Sequence, residues 1–236
     1  MPTDITVMTS GAFTAALLDL IPLFEKATGN RVVVATTTMG TGANSIPSRI
    51  ERGEPVDVVI MADTSLRKLI DDGKVLAESR TELARSAIGM AVRAGARRPD
   101  ISSVDALKRT LLEARSIAYS ASVSGDYLSG ELFQRLGIAA QVMPKARRIE
   151  GERVGAVVAR GEAEIGFQQI SELLPVPGID LVGALPSEVQ KVSVFSAGIV
   201  AASKNREAAR ALIRFLASPA ARPAIVKTGL EPIPPP

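Results

Sequence analysis

Two short polar turns, each placed between a strand-like run and a helix-like run, constrain the fold of this chain most strongly. The apolar run 5–8 leads into Thr9-Ser10-Gly11, and the run 32–35 leads into the hydroxyl- and glycine-rich segment 36–45. A strand that turns directly into a helix through such residues leaves backbone N–H groups and hydroxyl donors facing one place. Either turn alone is typical of an ordinary helix N-cap, but two in succession favour an anion site.

The turns do not match the common nucleotide-binding patterns. No Gly-Lys-Ser/Thr follows either glycine, and neither turn has the Gly-x-Gly-x-x-Gly spacing. Since both patterns depend on glycines at fixed positions against a pyrophosphate, a nucleotide ligand is not indicated.

The amino-acid composition limits which catalytic groups and metal sites the chain can have. The chain has 236 residues, of which 46% are hydrophobic, so it is long and apolar enough for substantial cores. It contains no Cys and no His, which removes thiolate nucleophiles, imidazole acid–base chemistry and nearly all zinc, copper and haem ligation. We therefore expect no metal and no cofactor, and any catalysis has to use carboxylates, Lys, Tyr or hydroxyl groups.

Charge and hydropathy indicate which partners and which cellular compartment to expect. The net charge is only +3 and aromatic residues make up 3% of the chain, so the basic, aromatic-lined surface of a nucleic-acid-binding protein is not indicated. No apolar run approaches the ~20 residues of a membrane span. The N-terminus lacks a basic segment followed by an apolar stretch, which is the pattern of a signal peptide. We therefore expect a cytoplasmic protein for the sequence as written, or a periplasmic one if Met1 replaces a removed leader.

The order of predicted elements indicates an α/β fold. The first third alternates strands at 5–8, 31–35 and 56–61 with helices at 14–27 and 44–52. This β-α-β-α-β order predicts a parallel sheet with right-handed crossovers, whose ligands bind at the carboxyl ends of the strands. The two polar turns and residues 62–64 all follow such strand ends.

A second α/β unit follows. Its predicted strands are 88–92, 117–119 and 164–169, and its predicted helices are 103–115, 127–136 and 152–160. The turn 120–126 again carries hydroxyls and glycine, and the strand 164–169 ends in two amides. A late strand at 191–202 and helices at 206–217 and 219–228 return the chain to the first unit, and we expect the proline-rich 232–236 to be an extended tail.

The layout predicts a two-lobed protein. One lobe takes 1–85 plus 197–236, and the other takes 86–196, inserted through a two-strand hinge. Each lobe has a parallel or mixed sheet flanked by helices, and the ligand cleft lies between the lobes.

Several segments resemble the type II periplasmic solute-binding proteins of ABC transporters, and specifically the molybdate-binding proteins. The resemblance rests on the start of the chain with Ser10, and on 23–29, 50–63 and 158–166, and it covers essentially the whole chain. The segment Gly53-Glu54-Pro55-Val56-Asp57-Val58 is its most specific part. The resemblance implies a monomer that closes like a Venus flytrap on a small oxyanion or carboxylate, with an ABC permease as partner if the protein is exported.

The resemblance also implies which residues contact the anion. Ser10 matches the first-turn serine, Ala62 the position whose backbone N–H faces the ligand, and Val123 lies near the contact from the second lobe. The family's second serine aligns with Ala43 or Asn44, and its tyrosine hydroxyl aligns with Gln169. Since a glutamine amide is longer and has two donors, this departure favours a larger or planar anion such as a carboxylate. The predicted ligand-binding residues are Thr9, Ser10, Gly42, Ala43, Asn44, Ala62, Asp63, Ser122, Val123, Ser124, Gln168 and Gln169.

An enzymatic alternative stays open, because this family branch also includes aconitate isomerase. A proton shift on a small unsaturated polycarboxylate needs a base near an activated C–H and donors that stabilise the enolate-like carboxylate. The candidates are Asp126, Tyr127, Glu150 and Glu152. For each of them we favour a structural explanation, because carboxylates suit first helical turns and Tyr127 suits a core. Sequence leaves receptor and isomerase as two alternatives.

Overall fold

A computed structural model describes residues 2–35, 37 and 42–234. Contacts divide the chain into two compact units, one formed by Met1–Ser86 and Val194–Pro236 and the other by Ala87–Ser193. The predicted lobe boundaries after 85 and 196, and the hinge, stay predictions.

Strands and helices alternate through most of the described chain. The strands are β1 Asp4–Thr9, β2 Arg31–Ala35, β3 Val58–Ala62, β4 Thr81–Ser86, β5 Ile88–Arg93, β6 Ile117–Ser120, β7 Ala146–Ile149, β8 Ile165–Gln169, β9 Ile179–Ala184, β10 Ser193–Ile199 and β11 Glu231–Pro232. The helices are α1 Gly11–Thr28, α2 Ile46–Glu51, α3 Asp63–Asp71, α4 Val104–Glu113, α5 Val123–Tyr127, α6 Phe133–Arg135, α7 Ala139–Val142, α8 Val154–Ala159, α9 Ile170–Leu173, α10 Arg206–Leu216 and α11 Arg222–Lys227. A π-helical segment, Leu128–Leu132, joins α5 to α6.

The first unit contains a mixed sheet with the strand order β11-β4-β10-β3-β1-β2. Strand β1 pairs in parallel with β2 and with β3, and β10 returns antiparallel to β3. Helix α1 buries Phe13, Leu17, Leu20 and Phe24, at spacings of three and four residues, in the same core as Ile5 of β1. Gly29 ends this helix at a φ of 74°, a left-handed conformation that glycine adopts without a Cβ clash. The predicted strand–helix order of the first third is confirmed.

The C-terminal segment differs from the predicted tail. Glu231 and Pro232 pair with Arg85 and Ala84 as strand β11, and Ile233 N donates to Leu83 O at 3.0 Å. Pro232 is tolerated because β11 is an edge strand, where a missing N–H costs little. The segment predicted as an extended tail is thus paired with β4 at 232–233, while Pro235 and Pro236 lie outside the described residues.

The second unit contains a mixed sheet with the strand order β7-β6-β8-β5-β9. Strand β6 pairs in parallel with β7 and β8, whereas β5 runs antiparallel to β8 and β9. Since β6, β7 and β8 are parallel, their carboxyl ends at Ser120, Ile149 and Gln169 share one edge. The predicted α/β class with two mixed sheets flanked by helices is confirmed.

Candidate functional site

Ser10 is the most distinctive residue at the polar edge of the first sheet. Its backbone N–H donates to Ile60 O at 2.8 Å, which fixes the residue beside the end of β3. Ser10 is the N-cap of the 18-residue helix α1, yet its side chain makes no capping hydrogen bond. Its Oγ is buried and has no hydrogen-bond partner among the described residues. A buried hydroxyl without a partner is costly, so this atom suits a ligand that accepts a hydrogen bond.

The second predicted turn is only partly described. The residues of this turn that lie outside the described chain are Thr36, Thr38, Met39, Gly40 and Thr41. Thr37 is described, and its Oγ1 donates to Thr9 O at 2.8 Å. Gly42, Ala43 and Asn44 form an exposed turn, and Arg52 Nη1 donates to Ala43 O at 2.7 Å. The helix α2 begins at Ile46, two residues later than predicted, and the Oγ of its N-cap Ser45 accepts from Ser48 N.

Ala62 and Asp63 stand at the end of β3 and the start of α3. The Asp63 carboxylate accepts hydrogen bonds from Arg80 Nε at 2.6 Å, Arg67 Nε at 2.7 Å and Ser196 Oγ at 2.8 Å. Burial alone would raise the pKa of Asp63, but these hydrogen bonds outweigh it and lower the pKa to about 2. Its side chain is therefore an anionic anchor within the first unit, and a ligand role for Asp63 stays a prediction.

Three serine hydroxyls meet at the polar edge of the second sheet. Ser120 Oγ lies 2.7 Å from Ser122 Oγ and 2.9 Å from Ser124 Oγ, and the latter two are 3.2 Å apart. We call these residues the serine cluster. Ser122 is the N-cap of α5 but makes no side-chain capping bond, because its hydroxyl faces the cluster. Val123 begins the helix, so its N–H is among the first-turn donors that have no intrahelical acceptor.

The close packing beneath the serine cluster depends on Gly125. A Cβ at this position would stand 1.7 Å from Ser120 O, which no real side chain tolerates. Glycine therefore lets the first turn of α5 approach the end of β6. Sequence analysis singled out Ser122 and Ser124, and the structure adds Ser120.

The two amides at the end of β8 are fully buried and differ in their partners. Gln168 Oε1 accepts from Val154 N at 2.9 Å. Gln169 Nε2 donates to Ser193 Oγ at 3.2 Å, while Gln169 Oε1 has no hydrogen-bond partner among the described residues. Because β6 and β8 are parallel neighbours with Tyr119 opposite Phe167, the amides and the serine cluster follow adjacent strand ends.

The four catalytic candidates have structural partners. Asp126 pairs with Arg148 at 3.0 Å, and Arg148 Nε stands 3.8 Å from Glu150. Glu152 accepts hydrogen bonds from Arg160 Nη1 at 2.9 Å and Nη2 at 3.0 Å, and these bonds lower the pKa of Glu152. Glu152 is therefore a weaker base than a free carboxylate.

Tyr127 is the fourth candidate, and it is held within the second unit. Its hydroxyl donates to Val189 O at 2.7 Å, and the side chain is almost fully buried. Burial raises the pKa of Tyr127, so this hydroxyl stays protonated near neutral pH. The expected structural explanation of Tyr127 agrees with this position, and its catalytic role stays untested.

Sequence analysis missed Glu172, the most deeply buried carboxylate in the second unit. Glu172 lies in α9, directly after β8, and is 3% exposed. Burial raises its pKa to about 7, although the charge of Arg153 and a hydrogen bond from Gln168 act in the opposite direction. The signal in the sequence was a carboxylate four residues after Gln168, in a short helix between the apolar residues Ile170 and Leu173.

The two edges share a chemistry of hydroxyl and N–H donors. Among the described residues, Asp and Glu side chains nowhere gather in the groups of three or more that a metal ion needs. No helix in the described part of the chain combines the length and apolar character needed to cross a membrane. These donors can satisfy carboxylate or oxyanion oxygens, which accept several hydrogen bonds each.

Known proteins are similar to this chain over nearly all of its length. An aconitate isomerase from Pseudomonas sp is 49% identical over 98% of this chain and 89% of that protein. The molybdate-binding protein of Azotobacter vinelandii is 27% identical over 96% of this chain and 89% of that protein.

Solved structures agree in fold. The periplasmic molybdate-binding protein of Azotobacter vinelandii has a TM-score of 0.77 at 22% identity, covering 98% of this chain and all of that one. A periplasmic binding protein from A. tumefaciens R10 in complex with agropinic acid has a TM-score of 0.73 at 14% identity, covering 98% and 83%. The family model described as bacterial extracellular solute-binding protein matches residues 5–231. With its order of elements, its two mixed sheets and this match over nearly all of its length, the chain belongs to the bacterial extracellular solute-binding protein family.

Proposed function

We propose that this protein is an isomerase that binds a small unsaturated polycarboxylate of the aconitate type and moves a proton between two of its carbons. The observation that carries the proposal is the 49% identity to an aconitate isomerase over 98% of the chain. Identity to the molybdate-binding relative is 27% over a similar length, so the isomerase is much the nearer of the two.

The donor chemistry supports a carboxylate ligand. Ser10 Oγ is buried and has no hydrogen-bond partner in the described part of the chain, and the serine cluster holds three hydroxyls within 3.2 Å of one another. In the first unit, we propose that Ser10 and the backbone N–H near Ala62 donate to a carboxylate of the ligand. In the second unit, the serine cluster and the backbone N–H of Val123 are the proposed carboxylate donors. Donors that are fixed before binding need no reorganisation, so they stabilise charge that develops during a reaction.

The proposed reaction needs no oxidant or reductant. A base removes a proton from the methylene carbon next to the double bond, and the electron pair spreads into the adjacent carboxylate as an enolate-like anion. The double bond then forms at that carbon, and a proton is added to the former vinyl carbon, which becomes the methylene. Hydrogen bonds to the carboxylate oxygens lower the barrier because the negative charge on those oxygens grows in the transition state.

Capture of a small anion for transport is the second candidate function. It is supported by the family match over residues 5–231 and by the molybdate-binding relatives. In that case the partner is an ABC permease, and the protein binds the anion without changing it chemically. The Ala43 and Gln169 positions argue against molybdate, because the resemblance places family hydroxyls there and a tetrahedral dianion needs a full set of short donors.

A ligand panel separates the two functions. We expect cis- and trans-aconitate to raise the melting temperature, because a ligand that binds only the folded state stabilises it by mass action. Molybdate and tungstate at the same concentration should leave it unchanged. Conversion of one aconitate isomer into the other would establish catalysis. A melting temperature raised by molybdate alone, with neither aconitate isomer converted, would support the receptor and reject the isomerase.

A further inference from the structure

Four arginines lie in the segment 147–160, and only Arg153 has no ion pair among the described residues. The other three pair with carboxylates at N···O distances between 2.6 and 3.8 Å. Their pairs are Arg147 with Glu162, Arg148 with Asp126 and Glu150, and Arg160 with Glu152 and Glu162. The Arg153 guanidinium also makes no hydrogen bond within the described part of the chain. It is therefore a cation whose charge no neighbouring side chain neutralises by direct contact.

The start of α8 fixes where Arg153 lies. Val154, the next residue, donates its N–H to Gln168 Oε1 at 2.9 Å. The Val154 side chain packs on Gly166 of β8, where a Cβ would stand 2.6 Å from Val154 Cγ1. Gly166 pairs with Ala118 of β6. The first residue of α8 therefore lies over β6 and β8, close to their carboxyl ends.

The serine cluster belongs to the same face of this sheet. Ser120 follows Ala118 by two residues on β6, and alternate residues of a strand point to the same face. Ala118 and Val154 share one apolar core on that face. Arg153 directly precedes Val154, so it lies on the face that carries the cluster. A cation and several hydroxyl donors are thus brought to one edge of the second unit.

An unpaired guanidinium among neutral donors suits a carboxylate ligand. Arg153 is half-buried, so water screens its charge only in part. The hydroxyls of the serine cluster are neutral, and a hydrogen bond from a charged donor is roughly twice as strong as one from a neutral donor. A guanidinium also offers two parallel N–H groups, which match the two oxygens of a carboxylate.

Glu172 does not take the place of such a ligand. The Arg153 charge acts on the buried Glu172 carboxyl, but the two side chains form no ion pair. Burial raises the pKa of Glu172 to about 7, so near neutral pH this carboxyl carries only part of a negative charge. The Arg153 guanidinium thus keeps its N–H groups for another acceptor.

We propose that Arg153 binds one carboxylate of the ligand directly, beside the serine cluster of the second unit. An aconitate-type ligand has several carboxylates, so one of them can pair with Arg153 while another accepts hydrogen bonds from the hydroxyls. The identity of the ligand in this inference rests on the proposed function. Arg153 holds the substrate and takes no part in moving the proton.

Arg153→Gln tests the contact, and Arg97→Gln is its matched control. Arg97 also has no ion pair or hydrogen bond among the described residues, but it follows the end of β5 that pairs with the start of β8, at the opposite edge of the sheet. Both variants remove one positive charge, so an effect of net charge would appear in both.

Calorimetry with trans-aconitate gives the readout. Arg153→Gln should bind roughly ten- to hundred-fold more weakly than the wild type, and Arg97→Gln should bind like the wild type. Arg153→Lys keeps the charge but not the paired N–H groups, so its affinity should lie between those of Arg153→Gln and the wild type. Because Arg153 has no internal bond to lose, Arg153→Gln should unfold at the same urea concentration as the wild type.

Turnover separates this inference from the proposed function. If trans-aconitate is converted, Arg153→Gln should raise KM more than it lowers kcat, because a carboxylate away from the moving proton is held equally in the ground and transition states. Wild-type affinity in Arg153→Gln, or an equal loss in Arg97→Gln, would overturn the inference and leave the isomerase intact. Binding that depends on Arg153 in a protein that converts neither aconitate isomer would reject the isomerase and leave the contact intact. A wild type that does not bind trans-aconitate would reject both.

Discussion

Asp63 accepts a hydrogen bond from the Arg80 guanidinium at 2.6 Å, and this pair ties the first residue of α3 to the residue just before β4. The two side chains are 13% and 21% exposed, so the bond is well protected from water. We expect Asp63→Asn to lower the free energy of unfolding by ~1–2 kcal/mol, as measured by urea denaturation at pH 7.

A surface pair provides the control for Asp63. Arg31 and Asp4 also form an ion pair, but their side chains are 66% and 61% exposed. Asp4→Asn should change stability by less than ~1 kcal/mol, because exposed pairs are screened. Because hydrogen bonds lower the pKa of Asp63 to about 2, its contribution should persist above pH 4 and fade as the pH falls toward 2. Equal losses in the two variants would contradict the anchoring role.

Glu172 should make the folded state less stable as the pH rises toward neutrality. Burial raises its pKa from 4.5 to about 7, so between these values the folded protein holds a proton that the unfolded chain releases. The stability contributed by this group is therefore full below pH 4.5, falls up to pH 7 and is level above it. The total loss is at most ~3–4 kcal/mol, at 1.4 kcal/mol per pH unit. Urea denaturation of the wild type from pH 5 to 8 should show this decline, and Glu172→Gln should lack it. An equal decline in both proteins would show that another group is responsible.

Ser10→Ala should lower the affinity for the ligand without lowering the stability of the fold. Its Oγ has no partner among the described residues, so removing it breaks no internal hydrogen bond. A lost hydrogen bond to a charged ligand costs ~1.5–3 kcal/mol, roughly a ten- to hundred-fold loss of affinity by calorimetry.

The matched variant is Ser103→Ala, since Ser103 caps α4 by accepting from Ala106 N at 3.2 Å. It should cost ~1 kcal/mol of stability and leave affinity unchanged. Unchanged affinity in Ser10→Ala would place the ligand elsewhere.

Gly125 should be irreplaceable, whereas Gly130 in the π-helical segment that continues the same helix should not. A Cβ on Gly125 would overlap Ser120 O at 1.7 Å, so Gly125→Ala has to displace α5 from β6 and separate the serine cluster. We expect a loss of ~3 kcal/mol or more in thermal or urea unfolding. Gly130 has nothing within 4 Å of a new Cβ, so Gly130→Ala should be neutral or slightly stabilising. Equal stability of the two variants would contradict the close approach at Ser120.

The sequence predicted the parts of the fold that depend on local patterns. The helix predicted at 14–27 corresponds to α1, and the apolar runs at 5–8, 56–61 and 164–169 correspond to β1, β3 and β8. Strands β4 and β7 were missed because each carries two charged residues, as in Ala146-Arg147-Arg148-Ile149, and their pairing depends on distant neighbours. Strand β9 was missed as well, and no side of it is fully buried.

The polar groups of the site were only partly predictable. Hydroxyl and glycine residues at strand ends marked Ser10, Ser122 and Ser124, because strand–turn–helix geometry is local. Whether a side chain is already satisfied is a tertiary property, so Asp63 could not be recognised as an anchor paired with Arg80. Glu172 was missed for the same reason, since its burial follows from how α9 packs on the sheet.

Deuterium incorporation tests the isomerase most directly. Either aconitate isomer is incubated with the protein in deuterated water, and its C–H signals are followed by proton NMR. We expect the two isomers to interconvert and deuterium to enter the methylene carbon of the product, because the proton added there comes from a group that exchanges with solvent. Asp126→Asn, Glu150→Gln, Glu152→Gln and Tyr127→Phe, tested singly, would then identify the base. An aconitate that binds the wild-type protein, yet keeps its geometry and all of its C–H protons, would contradict the isomerase.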